Sequence, residues 1–337
     1  MSGSSELSRK TYLSRQIGDF PDDVEIMGRR FRKQEDLRYG TNPHQPAALY
    51  CPIDEESPVI GGLEVLKTGK SGLSQTNLED ISYALNIVKF FDQPACACMK
   101  HVNPCGVAVG YGDVRAPAKI YRRARLADPR AAFGCTAGFN CTVDAETATA
   151  IMEEFTECVV APDFTEEALQ IFNDQERFKL NKHIRVLRCG DLAKLPRYRD
   201  DVEDVARYRT IKVLHDGSLV IADPLLTALK STTDLKPATA QSKKRGSITS
   251  TVQASPQQLA DLLTAWYVNI NVRSNGVVIV KNGVTLAVGT GEQDRVGAVE
   301  QAIEKCRNKY AGSETIDDSV MASDGFFPFP DAVEVAA

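Results

Sequence analysis

The chain has 337 residues, 43% hydrophobic and 25% charged, a composition that excludes disordered and fibrous proteins and leaves length for about two globular domains. The formal net charge of −5 disfavours a general nucleic-acid or anionic-membrane surface, so an anion would have to bind in a local pocket. No apolar stretch approaches the roughly 20 residues that span a bilayer, and the opening MSGSSELSRK lacks an apolar signal region, so a cytoplasmic protein without nucleic-acid or membrane partners is expected.

Residues 1–35 are polar and aperiodic and read as an N-terminal arm outside the first core. Arg38 and Tyr39 then precede a turn-rich stretch, GTNPHQP, where a guanidinium fork beside free backbone N–H groups suits a phosphate. Ordinary Arg–Tyr stacking at a surface is the competing reading. Leu78, Ile81, Ala84, Leu85, Val88 and Phe91 recur at helical spacing, and the continuous run PACACM after them predicts a strand covered on both faces. That strand stops at Lys100 and His101. Open α/β sheets place ligands at such strand ends, and an ammonium beside an imidazole supplies the acid and the base that a group transfer needs. Neighbouring strand residues face opposite ways, so both reach one site only if the strand breaks here, and Pro104 and Gly106 are the expected break. A snorkelling lysine beside a capped histidine is the alternative. Asn103 could orient a bound carbonyl or simply form the turn before proline.

Helices are predicted near 116–127 and 145–154, and strands near 136–139, 158–162, 183–189 and 218–222, which closes a first α/β unit over residues 36–227. The Lys/Ser/Thr-rich residues 228–247 read as a linker. In the second α/β unit, 248–337, Ser255, Pro256 and Gln258 supply the N-cap, first-turn proline and capping-box partner of a helix whose apolar face is Leu259, Leu262, Leu263 and Trp266. GVVIVK, the turn KNG and VTLAV predict a hairpin. GTGEQDR, residues 289–295, leads into a helix over about 294–308 with Val296, Val299, Ile303 and Cys306 inward, and offers a generic anion cradle without the GK[ST] of a Walker loop. The last segment reads as a strand, an aromatic turn and the start of a helix, so the second unit looks incomplete at its C-terminus. No internal repeat is evident.

Nine cysteines, odd in number and mostly inside apolar runs, read as reduced core thiols. No metal is expected, because a zinc deaminase needs H-x-E and P-C-x-x-C. Here His101 is followed by Val102 and Asn103, and Pro104-Cys105 has no second cysteine three residues on.

LRYGTNPHQ, KHVNPCGVAVG, DPRAAFG, VRSNGVVIVKNG, VGTGEQDRVG and SDGFFPFPD follow one another between Leu37 and Asp331. Together they resemble the formyltransferase domain of the bifunctional purine-biosynthesis family that combines phosphoribosylaminoimidazolecarboxamide formyltransferase with IMP cyclohydrolase. The resemblance implies a pair of cytidine-deaminase-like α/β subdomains without zinc, assembled as a homodimer with sites at the interface. It implies transfer of a formyl group from 10-formyltetrahydrofolate, used as co-substrate, to the amine of 5-aminoimidazole-4-carboxamide ribonucleotide. By position it implies catalytic roles for Lys100 and His101, and ligand contacts for Arg38, Tyr39, Gly134, Asn275, Arg295 and Phe326, with Asp331 as a folate-side carboxylate. Glu157 stands where the family has a nucleotide-contacting aspartate, Cys135 where it has an acidic or small residue, and Pro330 where an arginine is common. The family continues past the point matched by Ala337, and its cyclohydrolase domain precedes the part matched here, so no ring closure to inosine monophosphate is expected. A non-catalytic nucleotide-binding or regulatory relative is the alternative.

Overall fold

The computed structural model describes residues 17–69, 71–309, 315–325, 327 and 329–337. Strands β1 (Asp23–Ile26), β2 (Arg29–Asp36) and β3 (Ala48–Pro52) pair antiparallel as a small sheet. Residues 23–35, assigned from sequence to an arm, are therefore folded. RRFRKQED carries one apolar side chain, so pairing here rests on backbone hydrogen bonds and on ion pairs such as Arg32 Nε to Asp23 Oδ1 at 3.0 Å, which leave no hydrophobic period to read.

The remaining strands are β4 (Glu64–Lys67), β5 (Ala95–Lys100), β6 (Asn103–Val109), β7 (Cys135–Phe139), β8 (Thr156–Ala161), β9 (Arg185–Arg188), β10 (Thr210–Val213), β11 (Leu219–Ala222), β12 (Thr239–Ser242), β13 (Gly246–Thr249), β14 (Val277–Lys281), β15 (Val284–Gly289) and β16 (Val320–Ser323). Nine of them form one mixed sheet in the order β16-β14-β15-β6-β5-β7-β8-β9-β4, parallel only between β7 and β8 and between β8 and β9. The helices are α1 (Gln75–Val88), α2 (Pro117–Leu126), α3 (Ala145–Met152), α4 (Glu166–Asn173), α5 (Pro256–Asn269), α6 (Arg295–Lys309) and α7 (Asp331–Ala336).

Both faces of the sheet are covered, which makes the fold α/β as expected. Cys96 and Cys98 of β5 pack with Ile120 and Tyr121 of α2 and Ile151 of α3 on one face. Ala95, Ala97 and Met99 pack with Ile81 and Leu85 of α1 and Ala265 and Val268 of α5 on the other. The sheet runs from the first expected unit into the second: Val109 N donates to Gly283 O at 2.8 Å and Val107 N to Thr285 Oγ1 at 2.8 Å. An unpaired β6 edge would expose a row of backbone donors and acceptors, and β15 closes it. The expected strand near 218–222 is not in this sheet; among the described residues β11 pairs only with β10, in an exposed ribbon.

A repeat unseen in the sequence is plain in the fold. Positions 181 residues apart match through α1-β5-turn-β6 and α5-β14-turn-β15: Ser74 and Ser255 each cap a helix with a capping box, Ala84 and Ala265 are each fully buried, and Lys100 and Lys281 each end a strand. These identities are scattered singly through each copy, so the repeat becomes visible only once the structure aligns the elements.

Candidate functional site

β5 ends at Lys100 and β6 begins at Asn103, its register partner, so the chain reverses through two residues, His101 and Val102, with φ of 53° and 65°. Tight hairpins need positive φ at both positions, but a β-branched residue there is strained. The break therefore comes before Pro104, which lies within β6. Gly106 serves another purpose, since a Cβ there would stand 2.1 Å from Ala124 O of α2.

Lys100 Nζ donates to Gly134 O at 2.7 Å and lies 3.7 Å from Glu157 Oε1. Gly134 has φ of 72°, and a Cβ on it would meet Phe155 Cε1 at 2.9 Å and Lys100 Nζ at 3.0 Å. Glu157 Oε2 accepts from Asn77 Nδ2 at 3.3 Å. Asn77 is itself fixed by the capping box with Ser74 at the start of α1. The Lys100 and Glu157 side chains are 25% and 34% exposed, so the ion pair is open to a ligand. His101 is exposed beside it, and its backbone N–H donates to Asp80. Burial pushes the Asp80 carboxyl above the ordinary carboxylate range, opposed by hydrogen bonds from the N–H groups of Val102 and His101 and by the nearby Lys100 ammonium.

Asn103 Oδ1 accepts from Arg273 N at 3.2 Å and lies 3.0 Å from Thr290 Oγ1, tying the turn to the loop before β14. Two residues on, Asn275 Nδ2 donates to Glu292 O at 2.8 Å. Arg295 Nη1 reaches Ser323 Oγ at 2.9 Å and Asp324 Oδ1 at 2.5 Å, and Asp324 also accepts from Gly276 N at 2.7 Å. Burial pulls Asp324 upward, but hydrogen bonds from Ser274, Arg295 and Gly276 outweigh it and hold the carboxyl below its usual range.

Arg38 stacks on Tyr39, guanidinium carbon 4.5 Å from the ring centroid, and Arg38 Nη2 reaches the Tyr39 hydroxyl at 2.5 Å. The backbone of this pair is pinned to the start of α1, through Arg38 N to Leu73 O at 2.7 Å and Gln75 N to Tyr39 O at 3.0 Å. Lys100, Gly134 and Glu157 are thus in direct contact. Arg38 and Tyr39 are tied by their backbone to residues 73 and 75 at the start of α1, the helix that carries Asn77; Asn103 is tied to Arg273, two residues before Asn275, and Arg295 is held by Gly276, Ser323 and Asp324. Asp331 is exposed and accepts from Ala332 N at 2.8 Å. Phe326 lies outside the described residues.

Asn77, Asp80 and Asp324 were not anticipated. The Ser-x-x-Asn spacing of a capping box could have drawn attention to Asn77, and Asp324 lies within the SDGFFPFPD motif; nothing local marks Asp80. Among the described residues no group of three or more His, Cys, Asp or Glu side chains could hold a metal ion, and no helix is long and apolar enough to cross a membrane.

The profile of the AICARFT/IMPCHase bienzyme family matches residues 7–305. The bifunctional purine biosynthesis protein PurH of Persephonella marina is 36% identical over 322 residues, which cover 94% of this chain and 54% of that protein. The corresponding protein of Dictyostelium discoideum is 36% identical over 309 residues, 91% of this chain and 50% of its own length. That of Gloeothece citriformis is 37% identical over 305 residues, 90% and 51%. The chain spans about half the length of the curated relatives it matches.

Proposed function

Because the chain belongs to the AICARFT/IMPCHase bienzyme family, we propose that it transfers the formyl group of 10-formyltetrahydrofolate to the amine of 5-aminoimidazole-4-carboxamide ribonucleotide. The observation that carries this reading is the placement of Lys100 Nζ between Gly134 O and Glu157 Oε1 at the mouth of β5, with His101 exposed next to it.

The acceptor amine is a poor nucleophile, because its lone pair is delocalised toward the neighbouring carboxamide. In the proposed reaction its nitrogen bonds to the formyl carbon, the carbonyl electron pair moves onto oxygen, and collapse of the tetrahedral species breaks the bond to N10 of the folate. One proton leaves the amine and one arrives at N10. His101 accepts the first, and Lys100 stabilises the oxyanion or donates the second. Arg38 and Tyr39 hold the ribonucleotide, Gly134, Glu157, Asn103, Asn275 and Arg295 contact it, Asp331 serves the folate, and Phe326 keeps the ligand-contacting role that the family motif implies. Folate is a substrate in this scheme, and no resident metal takes part.

The chain is proposed to act as a homodimer with sites at the interface. One observation supports this: the β10–β11 ribbon exposes Val213, Leu219 and Ile221 at 65, 58 and 48%.

The test is release of tetrahydrofolate, followed by absorbance, from the full chain given both substrates. Lys100→Ala and His101→Ala are each expected to slow turnover by about 10² to 10⁴, the usual worth of a positioned acid or base, with an unchanged circular dichroism spectrum. Wild-type turnover in both variants would remove the acid–base assignment. Tight ribonucleotide binding by the wild-type chain with no folate release would instead favour a non-catalytic relative.

A further inference from the structure

The turn that carries His101 is held by a single buried carboxylate. Asp80, on α1 and 5% exposed, accepts from Val102 N through Oδ1 at 2.7 Å and from His101 N through Oδ2 at 3.3 Å. In the second copy of the repeat, Asp261 on α5, 3% exposed, accepts from Gly283 N through Oδ1 and from Asn282 N through Oδ2, both at 2.8 Å. Even the lysines correspond. Lys100 Nζ donates to Gly134 O, and Lys281 Nζ lies 3.3 Å from the oxygen of Thr315, again 181 residues on.

The two turns differ in what they ask of the backbone. Asn282 and Gly283, at φ of 50° and 72°, are the residue types that adopt left-handed conformations readily. His101 and Val102 occupy the same region without that tolerance, and Val102 is β-branched and buried. A left-handed residue of this kind persists only where its surroundings over-determine it. Asn282–Gly283 would turn without help, whereas His101–Val102 needs its two N–H groups satisfied in this geometry and no other.

We propose that Asp80 is a positioning residue for the Lys100–His101 pair, its carboxylate clamping the strained turn that displays the imidazole beside the lysine. The kinetic part of this proposal rests on the formyl-transfer reading; the clamp itself does not. Asp80 touches neither reacting atom in that scheme and acts through the turn.

The experiment compares Asp80→Asn, Asp80→Glu, Asp261→Asn, Val102→Gly and the double variant Asp80→Asn/Val102→Gly in the full chain. Three quantities are read: amide hydrogen exchange of the peptide containing residues 101–102, kcat and KM for the ribonucleotide, and the thermal midpoint. Releasing a strained turn of this kind is expected to lower kcat about 10- to 100-fold in Asp80→Asn, with KM changed by less than about threefold and faster exchange at the turn. Adding Val102→Gly should recover most of the lost kcat, because glycine adopts positive φ freely. Asp261→Asn should leave kcat unchanged. Asp80→Glu keeps the charge but displaces it, and should lose turnover in step with lost exchange protection, which covers the case of an Asp80→Asn chain that does not fold.

Full turnover in Asp80→Asn, lost turnover with the turn as protected as in wild type, or no recovery with Val102→Gly would each overturn the proposal. If the wild-type chain given both substrates releases no tetrahydrofolate, the formyl-transfer reading fails, while the exchange measurements still decide whether the clamp exists.

Discussion

A primary amine held between a backbone carbonyl and a carboxylate cannot move far, and that restriction is the chief property of Lys100. Gly134 makes it possible. Its left-handed φ and the missing Cβ leave room for Lys100 Nζ, so Gly134→Ala should cost about 1–2 kcal/mol of stability from backbone strain alone and push the ammonium away from its partners. The expected outcome is a lower denaturation midpoint together with a fall in kcat beyond what the unfolded fraction explains. An unchanged midpoint and kcat would show that the turn relaxes around the new methyl. Lys100 and His101 could be read in the sequence because charge at the end of a buried strand is conspicuous. Asp80 could not. An aspartate on an amphipathic helix normally faces water, and this one is buried only because the β5–β6 turn arrives over it in three dimensions.

Local signals served well where an element is defined by its own ends. Ser255 accepts from Gln258 N at 3.2 Å and Gln258 Oε1 from Ser255 N at 2.9 Å, the predicted box, and the KNG turn reverses through Asn282 and Gly283 as expected. The apolar face expected for α5 is only partly the buried one, with Leu262 packed against the core. Its buried residues include Asp261, Thr264, Ala265 and Val268, while Leu259, Leu262, Leu263 and Trp266 are half-buried. Small side chains let the helix approach the sheet. In the β10–β11 ribbon the registers Ile211 with Ile221 and Val213 with Leu219 put four apolar side chains on one face. A two-stranded ribbon is marginal alone in water, so this face is expected to be covered in a homodimer. Val213→Lys with Leu219→Lys should shift sedimentation from dimer toward monomer while leaving the far-ultraviolet spectrum intact. A dimer indifferent to both charges would place the contact elsewhere.

Across the whole molecule, the end of α1 is joined to the chain after β9 by Lys89, whose ammonium donates to Asn86 Oδ1 and Pro196 O while 7% exposed. Burial, reinforced by the nearby Arg197 and opposed by Asp201, lowers its pKa from the ordinary 10.5 to about 8. Below pH 8 the lysine is charged folded and unfolded, and the cost of burying that charge is present in full. Between about 8 and 10.5 the folded protein releases the proton first, so this group makes stability rise with pH, by about 3 kcal/mol across the window. Lys89→Met should remove that rise; denaturation midpoints at several pH values, compared between the two proteins, would show it, and parallel curves would refute it. The same contrast of near and far explains what could be read in advance. Helix and strand order, caps and the order of the family motifs are written in runs of a few residues, because helical and extended periods repeat within a single element. The site is not local in this sense. Asn77 meets Glu157 across 80 positions and Asn103 meets Thr290 across 187, and the clamp on His101 exists only because α1 packs over a turn 21 residues away. Such contacts depend on how the sheet is ordered and which helix lies on which face, and only the tertiary structure decided that.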